Sequence, residues 1–309
     1  MTPSVTIDPA FIPPHLPPEQ RTRATQHLRY EDVAQDGRLT LLGIPHAGSV
    51  LWDTLLLKHP LSTVMPRTGV LPILSRIVIE GTGGPIGVGK PVTIEGAFQL
   101  AHGVDETGAV SRLFLNTWAS ITGVASRTHG PPPDNAGAHI SVGHVHSEST
   151  FTRPFAPPDK RKVLRFDFEG IPAVPPDRHH SPAPASLLVP PDDARPLEPA
   201  LAPDDAPSAF GLAHTDSNQH VNSLVYPRLF EEAALRRLAR LGHPHRLLAR
   251  RVEIAYRKPA FAGETLRIHL RLFEHRSTVL ALGTFSPEET SDASAATKPN
   301  CYLRMTFAA

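Results

Sequence analysis

One polar turn, HTDSNQH at 214–220, holds the residues best suited to acid–base and nucleophilic chemistry. Asp216 could act as a general base or nucleophile, and Asn218 could orient a water or the carbonyl. Histidine is the side chain type best suited to proton transfer near neutral pH, so His220 could transfer a proton. It follows Asp216 by four residues, and a turn wound like a helix would direct both side chains into one pocket.

The helix predicted to follow this turn would add a third component. Unpaired N–H groups at a helix N-terminus, together with the helix dipole, favour negative charge. Such donors contribute about 3–4 kcal/mol to an acyl-transfer transition state. The turn and its helix therefore predict a site for acid–base or nucleophilic chemistry.

Each residue of this region also has a structural interpretation that the sequence leaves open. Asp216 and Asn218 precede a helix, where such residues are common N-caps, and His220 could bond to a backbone carbonyl. Asn222 is expected either to tie the turn to neighbouring backbone or to touch substrate. Tyr226 is expected in the hydrophobic core, with lining of an acyl groove as the alternative.

The segment 207–309 has the pattern of an α+β domain. Apolar residues at three- and four-residue spacing predict a helix that includes Val221 and ends near Leu241, where Gly242 is suited to stop it. Apolar and alternating runs predict four strands after the helix, at 250–257, 265–273, 278–285 and 301–307. A polar loop is predicted between the last two strands.

The first 123 residues repeat this order of elements without repeating the sequence. A short strand is predicted at 39–44, a short helix is predicted to end near Pro60, and three strand patterns follow, at 70–80, 91–104 and 109–123. His46 is assigned to the part of this segment that corresponds to the polar turn. It is therefore a further candidate to contact the substrate.

Residues 124–206 are rich in proline, which disfavours regular structure, so this segment is predicted to connect two domains. One island, Lys162–Phe168, alternates apolar and polar residues and could form an extra strand. A chain of 309 residues is long enough for two domains joined in this way.

Composition argues against several classes of function. The formal net charge is +1, so no global field attracts nucleic acid or a membrane surface. Cys301 is the only cysteine, so no disulfide can form within the chain and a reducing compartment is expected. The first residues lack the pattern of a secretory signal, and no stretch approaches the roughly 18 apolar residues that span a bilayer. A cytoplasmic protein is expected.

The sequence HTDSNQHVNSLVYPRLFEEA resembles the signature turn and helix of hot-dog thioesterases. The likeness is greatest to plant-type acyl-ACP thioesterases, whose turn reads Asp-x-Asn-x-His-Val-Asn-Asn-x-x-Tyr. The matching positions are Asp216, Asn218, His220, Val221, Asn222 and Tyr226, and Ser223 replaces the second Asn of that motif. The stretch VEIAYRKPAFAGETLRIHLRL resembles the wider 4-hydroxybenzoyl-CoA thioesterase-like group.

The resemblance implies an α+β tandem (double) hot-dog fold, with each antiparallel sheet wrapped around a long helix. A degenerate unit would occupy 1–123, a Pro-rich connecting segment 124–206, and the unit with the site 207–309. The strands LPILSRIVIEG, PVTIEGAFQL and SRLFLNTWASITG resemble the non-catalytic first unit of the plant enzymes.

The function that the resemblance implies is hydrolysis of an acyl thioester to a free acid and a thiol. Asp216 would activate water with help from Asn218 and His220, and no cofactor or metal is expected. The implied partner is an acyl carrier protein or coenzyme A, with no role for nucleic acid or a membrane. A tandem chain can complete the two-unit arrangement alone, so both a monomer and a homodimer are compatible.

One stretch departs from the plant pattern. A strand after the helix carries Tyr-Arg-Arg-Glu-Cys in those enzymes, and here the stretch reads Tyr256-Arg257-Lys258-Pro259-Ala260. A mechanism that needs the second acid or the thiol is therefore in doubt. Cys301 lies in a different predicted strand and is not a candidate for the missing thiol.

Two other functions stay open. Asp216-Ser-Asn-Gln-His220 fits the second half-motif of double hot-dog dehydratases, which act on 3-hydroxyacyl thioesters. The first segment, however, lacks the partner motif His-x-x-x-Gly-x-x-x-x-Pro. A non-catalytic acyl-thioester-binding or scaffolding protein is the other alternative, because a fold does not determine a function and the departure at Pro259 removes a possible catalytic acid.

Two further groups of polar residues have no assigned chemistry. The pairs His144/His146, His179/His180 and His243/His245 lack an accompanying ligand set, so solvent exposure is predicted rather than metal binding. A basic stretch near the helix end could meet coenzyme A phosphates or an acidic carrier protein, or could be a solvated helix end. Its members are Arg236, Arg237, Arg240, Arg246, Arg250 and Arg251.

Overall fold

The computed structural model describes residues 8–243, 247–287 and 298–308. The chain divides into two compact units, Met1–Ser181 and Pro182–Ala309. Most of the polar loop predicted between the last two strands, together with His245 and Arg246, lies outside the described residues.

The first unit contains an antiparallel sheet in the order β1-β3-β4-β5-β2. Its strands are β1 (Arg21–Gln26), β2 (Leu71–Gly81), β3 (Val92–Val104), β4 (Val110–Val124) and β5 (His139–Thr152). The three strand patterns predicted in the first segment are confirmed as β2, β3 and β4. A turn joins β3 to β4, and the N–H of Asp105 donates to the carbonyl of Ala109 there at 2.9 Å.

Strand β5 was not predicted, because its sequence lies in the Pro-rich segment and interleaves histidine and serine with short apolar residues. The strand is nevertheless central, with β4 on one side and β2 on the other. The extra strand expected at Lys162–Phe168 is wrong. Only one isolated bridge forms there, and Val163 and Phe166 instead pack as buried side chains in the core of this unit.

Short helices replace a single long helix in the first unit: α1 (Gly43–Gly48), α2 (Val50–Thr54) and α3 (Leu61–Thr68). The strand predicted at 39–44 is therefore wrong. Pro60 precedes α3 rather than ending a helix, as suits a residue that lacks an N–H. Ile44 of α1 packs so closely over Gly143 of β5 that an added Cβ would lie 2.9 Å from its side chain.

The second unit has a sheet in the order β9-β12-β11-β10, and the four strands predicted from the sequence are confirmed. They are β9 (Leu248–Tyr256), β10 (Thr265–His275), β11 (Thr278–Pro287) and β12 (Cys301–Ala308). Three two-residue strands pair with the outer edge of β10: β6 (Arg195–Pro196), β7 (Ala202–Pro203) and β8 (Ser208–Ala209).

Helix α4 (Val225–Arg240) supplies the apolar face that the sheet of the second unit covers. Phe230 is fully buried, and a Cβ added to Gly283 of β11 would lie 2.6 Å from its ring. The helix begins after Val221, which forms a bridge with Thr215 instead. Gly242 adopts φ +79°, a left-handed conformation that ends the helix as predicted.

The basic stretch at the end of α4 is used within its own unit. Arg237 pairs with Glu198 at 2.6 Å, Arg240 pairs with Asp205 at 2.6 Å, and Arg236 pairs with Asp204. Arg237 also donates to the carbonyl of Ala202 at 3.1 Å. These bonds fasten the segment 198–205 to the helix, most firmly at Arg237, whose side chain is largely buried, whereas Arg236 and Arg240 keep much of their surface exposed.

We expect the substitution Arg237→Ala to lower the free energy of unfolding by about 2–3 kcal/mol, because it removes charge-assisted bonds to a largely buried carboxylate. The control is Arg228→Ala, which breaks an exposed pair with Glu232 and should cost less than about 0.5 kcal/mol. Urea unfolding of both variants measures the difference. Equal stability of the two would contradict this role of Arg237.

Candidate functional site

The polar turn is a tight hairpin loop closed by the bridge between Thr215 and Val221. The N–H of Asp216 donates to the carbonyl of His220 at 3.2 Å, and the N–H of Gln219 donates to the carbonyl of Asp216 at 2.9 Å. Gln219 adopts φ +65°, which reverses the chain. The helical winding considered from the sequence is therefore wrong, and Asp216 and His220 instead pair through their backbones across the hairpin.

Hydrogen bonds hold both oxygens of the Asp216 carboxylate. Oδ1 accepts from the backbone N–H of Asn218 at 2.9 Å, and Oδ2 accepts from Nδ2 of Asn222 at 3.1 Å. The side chain is half-buried. Residue Leu224 occupies the N-cap of α4, so Asp216 does not cap the helix and the capping interpretation is excluded.

Asn222 organises the start of α4. Its Oδ1 accepts from the N–H of Leu224 at 2.9 Å, and its carbonyl accepts from the N–H of Val225 at 3.0 Å. Two N–H groups at the helix start are therefore already used, and Pro227 has none. This leaves the helix N-terminus less suited to hold an oxyanion than the sequence suggested.

The two other candidates, Asn218 and His220, have polar side-chain atoms that could bind a substrate. Asn218 is exposed, and only its backbone N–H is engaged by Asp216. Nδ1 of half-buried His220 lies 3.3 Å from the carbonyl of Val221. In the tautomer that donates from Nδ1, Nε2 is left as an acceptor. The bond from His220 to a backbone carbonyl, which the sequence left open, thus uses only one of its two ring nitrogens.

Tyr226 lies beneath the loop in an aromatic cluster. Its ring centroid is 5.2 Å from that of Phe285, 5.8 Å from that of Tyr256 and 5.9 Å from that of Phe210. Only 3% of the residue is exposed. Burial raises the pKa of its hydroxyl, which therefore stays protonated. Tyr226 therefore lies in the hydrophobic core, the first of the two positions that the sequence left open.

The stretch that departs from the plant pattern lies directly against the loop. The N–H of Val221 donates to the carbonyl of Ala260 at 2.8 Å, and Nδ2 of Asn300 donates to the carbonyl of Pro259 at 3.2 Å. Cys301 is buried, and burial raises the pKa of its thiol. The thiol therefore does not supply the missing nucleophile.

A second copy of the loop backbone occurs in the first unit. A bridge joins Val33 and Leu39, the N–H of Ala34 donates to the carbonyl of Arg38 at 2.8 Å, and the N–H of Gly37 donates to the carbonyl of Ala34 at 2.8 Å. Gly37 adopts φ +86°, as Gln219 does in the second copy with φ +65°. The two units therefore share one loop conformation.

The two copies differ in their side chains. Ala34, Asp36 and Arg38 occupy the positions that Asp216, Asn218 and His220 occupy in the second loop. A methyl group thus stands where the second unit has its carboxylate. The loop of the first unit has no group at that position that can accept a proton from water.

His46 does not lie in the corresponding loop, so that part of the sequence interpretation is wrong. It lies on α1, and its Nε2 is 3.9 Å from Oδ2 of Asp32. The Asp32 side chain is buried and pairs with Arg29 at 2.7 Å. The error arose because the loop ends at Leu39, before the histidine.

Two of the histidines predicted to be exposed are enclosed in the first unit. His144 is buried, with Nδ1 3.0 Å from Oγ of Ser120 and Nε2 3.1 Å from Oγ of Ser141. The ring of His146 stacks on Trp118, with centroids 5.1 Å apart. The prediction failed because β5, which carries both residues, was not recognised as a strand.

His179 and His180 differ from each other. Nε2 of His179 lies 2.7 Å from the buried carboxylate of Glu148, whereas His180 is exposed. Within 8–243, 247–287 and 298–308, no group of three or more His, Cys, Asp and Glu side chains is arranged to hold a metal ion. No helix in those ranges has the length and apolar character to cross a bilayer.

The environment of His146 predicts a pH-dependent stability. Burial, together with the smaller effect of the charge of His179, lowers the pKa of His146 to about 4. The folded protein therefore resists protonation more than the unfolded chain, whose histidine pKa is about 6.5. The stability that neutral His146 contributes is complete above about pH 6.5 and is lost as the pH falls towards 4.

We expect the urea midpoint of unfolding to fall between pH 7 and about pH 5 in the wild type and to fall less in His146→Phe, which keeps a ring on Trp118. Burial would raise the pKa of Glu148, but bonds from His179 and Ser75 lower it, so this carboxylate stays ionised over that interval. Equal slopes in the two proteins would show that His146 is not responsible.

Comparison with known proteins supports the assignment of the fold. Residues 218–282 match the family model of the thioesterase superfamily, a range that contains Asn218, His220 and α4. No curated protein sequence matches the chain significantly. Solved structures, in contrast, align with nearly its whole length.

A protein provisionally named oleoyl thioesterase, from Lactobacillus plantarum, aligns over 93% of this chain and 96% of its own, with 16% identity and a TM-score of 0.57. This chain has a double hot-dog fold. An acyl-ACP thioesterase from Bacteroides thetaiotaomicron aligns over 94% of this chain and 98% of its own, with 14% identity and a TM-score of 0.53.

The 12:0-ACP thioesterase from Umbellularia californica aligns over 93% of this chain and 97% of its own, with 14% identity and a TM-score of 0.51. The resemblance to hot-dog thioesterases and the α+β double hot-dog fold expected from the sequence are therefore confirmed. One detail differs, since the helix of the first hot-dog is divided into α1, α2 and α3.

Proposed function

We propose that this double hot-dog protein hydrolyses acyl thioesters, with Asp216 as the general base. The observation that carries the proposal is the difference between its two loops. They share one backbone conformation, but the position of Asp216 in the second loop is occupied by Ala34 in the first, and the Asp216 carboxylate is held by Asn218 and Asn222. The thioesterase family match and the names of the similar structures support a thioester as the substrate.

In the proposed reaction, Asp216 removes a proton from water as the water oxygen attacks the thioester carbonyl. The two donors on the carboxylate keep it in one orientation, while its remaining lone pairs face solvent. The tetrahedral intermediate then collapses with cleavage of the C–S bond. The products are a carboxylic acid and a thiol, and the thiol takes up the proton that water supplied.

Asn218 and His220 have separate proposed roles. The exposed amide of Asn218 donates a hydrogen bond to the carbonyl oxygen as negative charge develops on it, since Asn222 already occupies N–H groups at the helix start. His220 accepts the proton that Asp216 took from water and passes it to the departing sulfur, which leaves the carboxylate ionised for the next turnover. No step uses a second acid, because Pro259 and Ala260 stand at those positions.

The proposed substrate carries its acyl group on the phosphopantetheine thiol of an acyl carrier protein or of coenzyme A. Acyl carrier protein appears in the names of two of the similar structures. A cytoplasmic location fits such a substrate and, like the choice between monomer and homodimer, stays a prediction.

The test is thiol release from a panel of acyl-CoA and acyl-carrier thioesters, with the free acid identified by mass spectrometry. We expect turnover of some members and formation of acid and thiol in equal amounts. Binding without turnover would support the acyl-binding alternative. Loss of water from a 3-hydroxyacyl thioester, with the thioester intact, would support the dehydratase.

A further inference from the structure

The peptide between Ser223 and Leu224 lies at the junction of the loop and α4. In a regular helix the carbonyl of Ser223 would accept from the N–H of residue 227. That residue is Pro227, which has no N–H, so the carbonyl lacks its helical donor. The hydroxyl of Tyr256, at the end of β9, donates to this carbonyl at 2.8 Å instead.

A chain of hydrogen bonds leads from this peptide to the carboxylate. The N–H of the Ser223–Leu224 peptide, which belongs to Leu224, donates to Oδ1 of Asn222 at 2.9 Å. Nδ2 of Asn222 in turn donates to Oδ2 of Asp216 at 3.1 Å. Each donor in the chain is polarised by the bond before it, so the bonds strengthen one another. The ring of Tyr256 is held in turn by Tyr226, with centroids 5.8 Å apart.

The first hot-dog has the same proline but not the tyrosine. Pro45 follows Ile44 on α1 as Pro227 follows Tyr226 on α4. Strand β2, which occupies the place of β9, ends at Gly81, whereas β9 ends at Tyr256. The tyrosine at the strand end therefore occurs in the copy whose loop carries Asp216.

We propose that Tyr256 is a positioning residue for hydrolysis, which orients Asp216 through the Ser223–Leu224 peptide and Asn222. This inference rests on the proposed function and extends it by naming a residue outside the loop. Burial raises the pKa of the Tyr256 hydroxyl, so it remains a donor over the working pH range.

The first test compares the steady-state kinetics of Tyr256→Phe with those of Tyr302→Phe. Tyr302 lies on β12 opposite Ala255, the neighbour of Tyr256, so its loss is a matched removal of a hydroxyl from the same sheet. We expect Tyr256→Phe to lower kcat about five- to tenfold, the effect of one lost hydrogen bond, with KM unchanged. Tyr302→Phe should leave both constants unchanged.

The second test is a double-mutant cycle with Asn222→Ala. If Tyr256 acts through Asn222, adding Tyr256→Phe to Asn222→Ala lowers kcat no further. A purely structural effect would instead be additive. Independent losses, or a Tyr256→Phe variant with full kcat, would overturn the proposal while leaving hydrolysis by Asp216 intact.

Amide hydrogen exchange provides a readout that does not depend on turnover. Exchange of the Leu224 N–H is expected to quicken in Tyr256→Phe and not in Tyr302→Phe. Unchanged exchange would remove the physical basis of the proposal. If the wild type has no thioesterase activity, the proposed function and the positioning role are overturned together. If the wild type is active and Tyr256→Phe lacks the expected effects, only the positioning role is overturned.

Discussion

Replacing Asp216 by alanine is expected to lower kcat for thioester hydrolysis by about 10²- to 10⁴-fold, the usual contribution of a general base. The side chain lies at the loop surface and makes no helix cap, so the fold should persist. Thiol release in the presence of a chromogenic thiol reagent measures the effect. The protein adds little background, because its one cysteine is buried.

The matched control for this variant is Asp36→Asn in the loop of the first hot-dog. Asp36 lies in the equivalent hairpin, and its Oδ1 accepts from the N–H of Arg38 at 3.0 Å, a bond that asparagine can keep. We expect activity close to that of the wild type. An Asp216→Ala protein that folds and retains activity within about threefold of the wild type would exclude Asp216 as the base.

The substitution Phe230→Ala is expected to lower the free energy of unfolding by about 3–5 kcal/mol, because it removes a buried ring and leaves a cavity. The ring packs against Gly283, where no side chain can move in to fill the space. The helix and the sheet of the second hot-dog meet at this contact. Urea unfolding followed by circular dichroism provides the measurement.

Phe261→Ala is the control for that change, since Phe261 belongs to the same unit and is 47% exposed. The same atoms are removed, but little cavity forms, and we expect a loss below about 1 kcal/mol. Similar losses in the two variants would mean that Phe230 does not hold α4 on its sheet.

The second hot-dog could be predicted in detail from the sequence, because its signals are local. Strands β9–β12 coincide with apolar and alternating runs, and α4 ends at Arg240, two residues before the left-handed Gly242. The first unit was harder to predict. Its helix is divided, and the alternation in β5 is masked by histidine and serine, so only the neighbouring strands show that His139–Thr152 belongs to the sheet.

The residue types of the candidate site were also evident from the sequence, since Asp216, Asn218 and His220 stand at fixed spacing before an amphipathic helix. Their geometry was not. The left-handed conformation at Gln219 turns the loop into a hairpin and removes Asp216 from the helix cap, and no propensity of glutamine predicts this. The carboxylate therefore accepts a hydrogen bond from Asn222 instead of capping α4.

The sequence by itself located the candidate site in the second unit, because the pattern Asp216-x-Asn218-x-His220 occurs only once in the chain. Tertiary structure decided what supports these residues. Tyr256 and Ser223 are 33 residues apart and meet only because β9 ends beside the loop. Arg237 and Glu198, 39 residues apart, meet only because β10 holds the segment around β7 against α4. Such contacts depend on the packing of distant elements, and local sequence patterns carry no information about them.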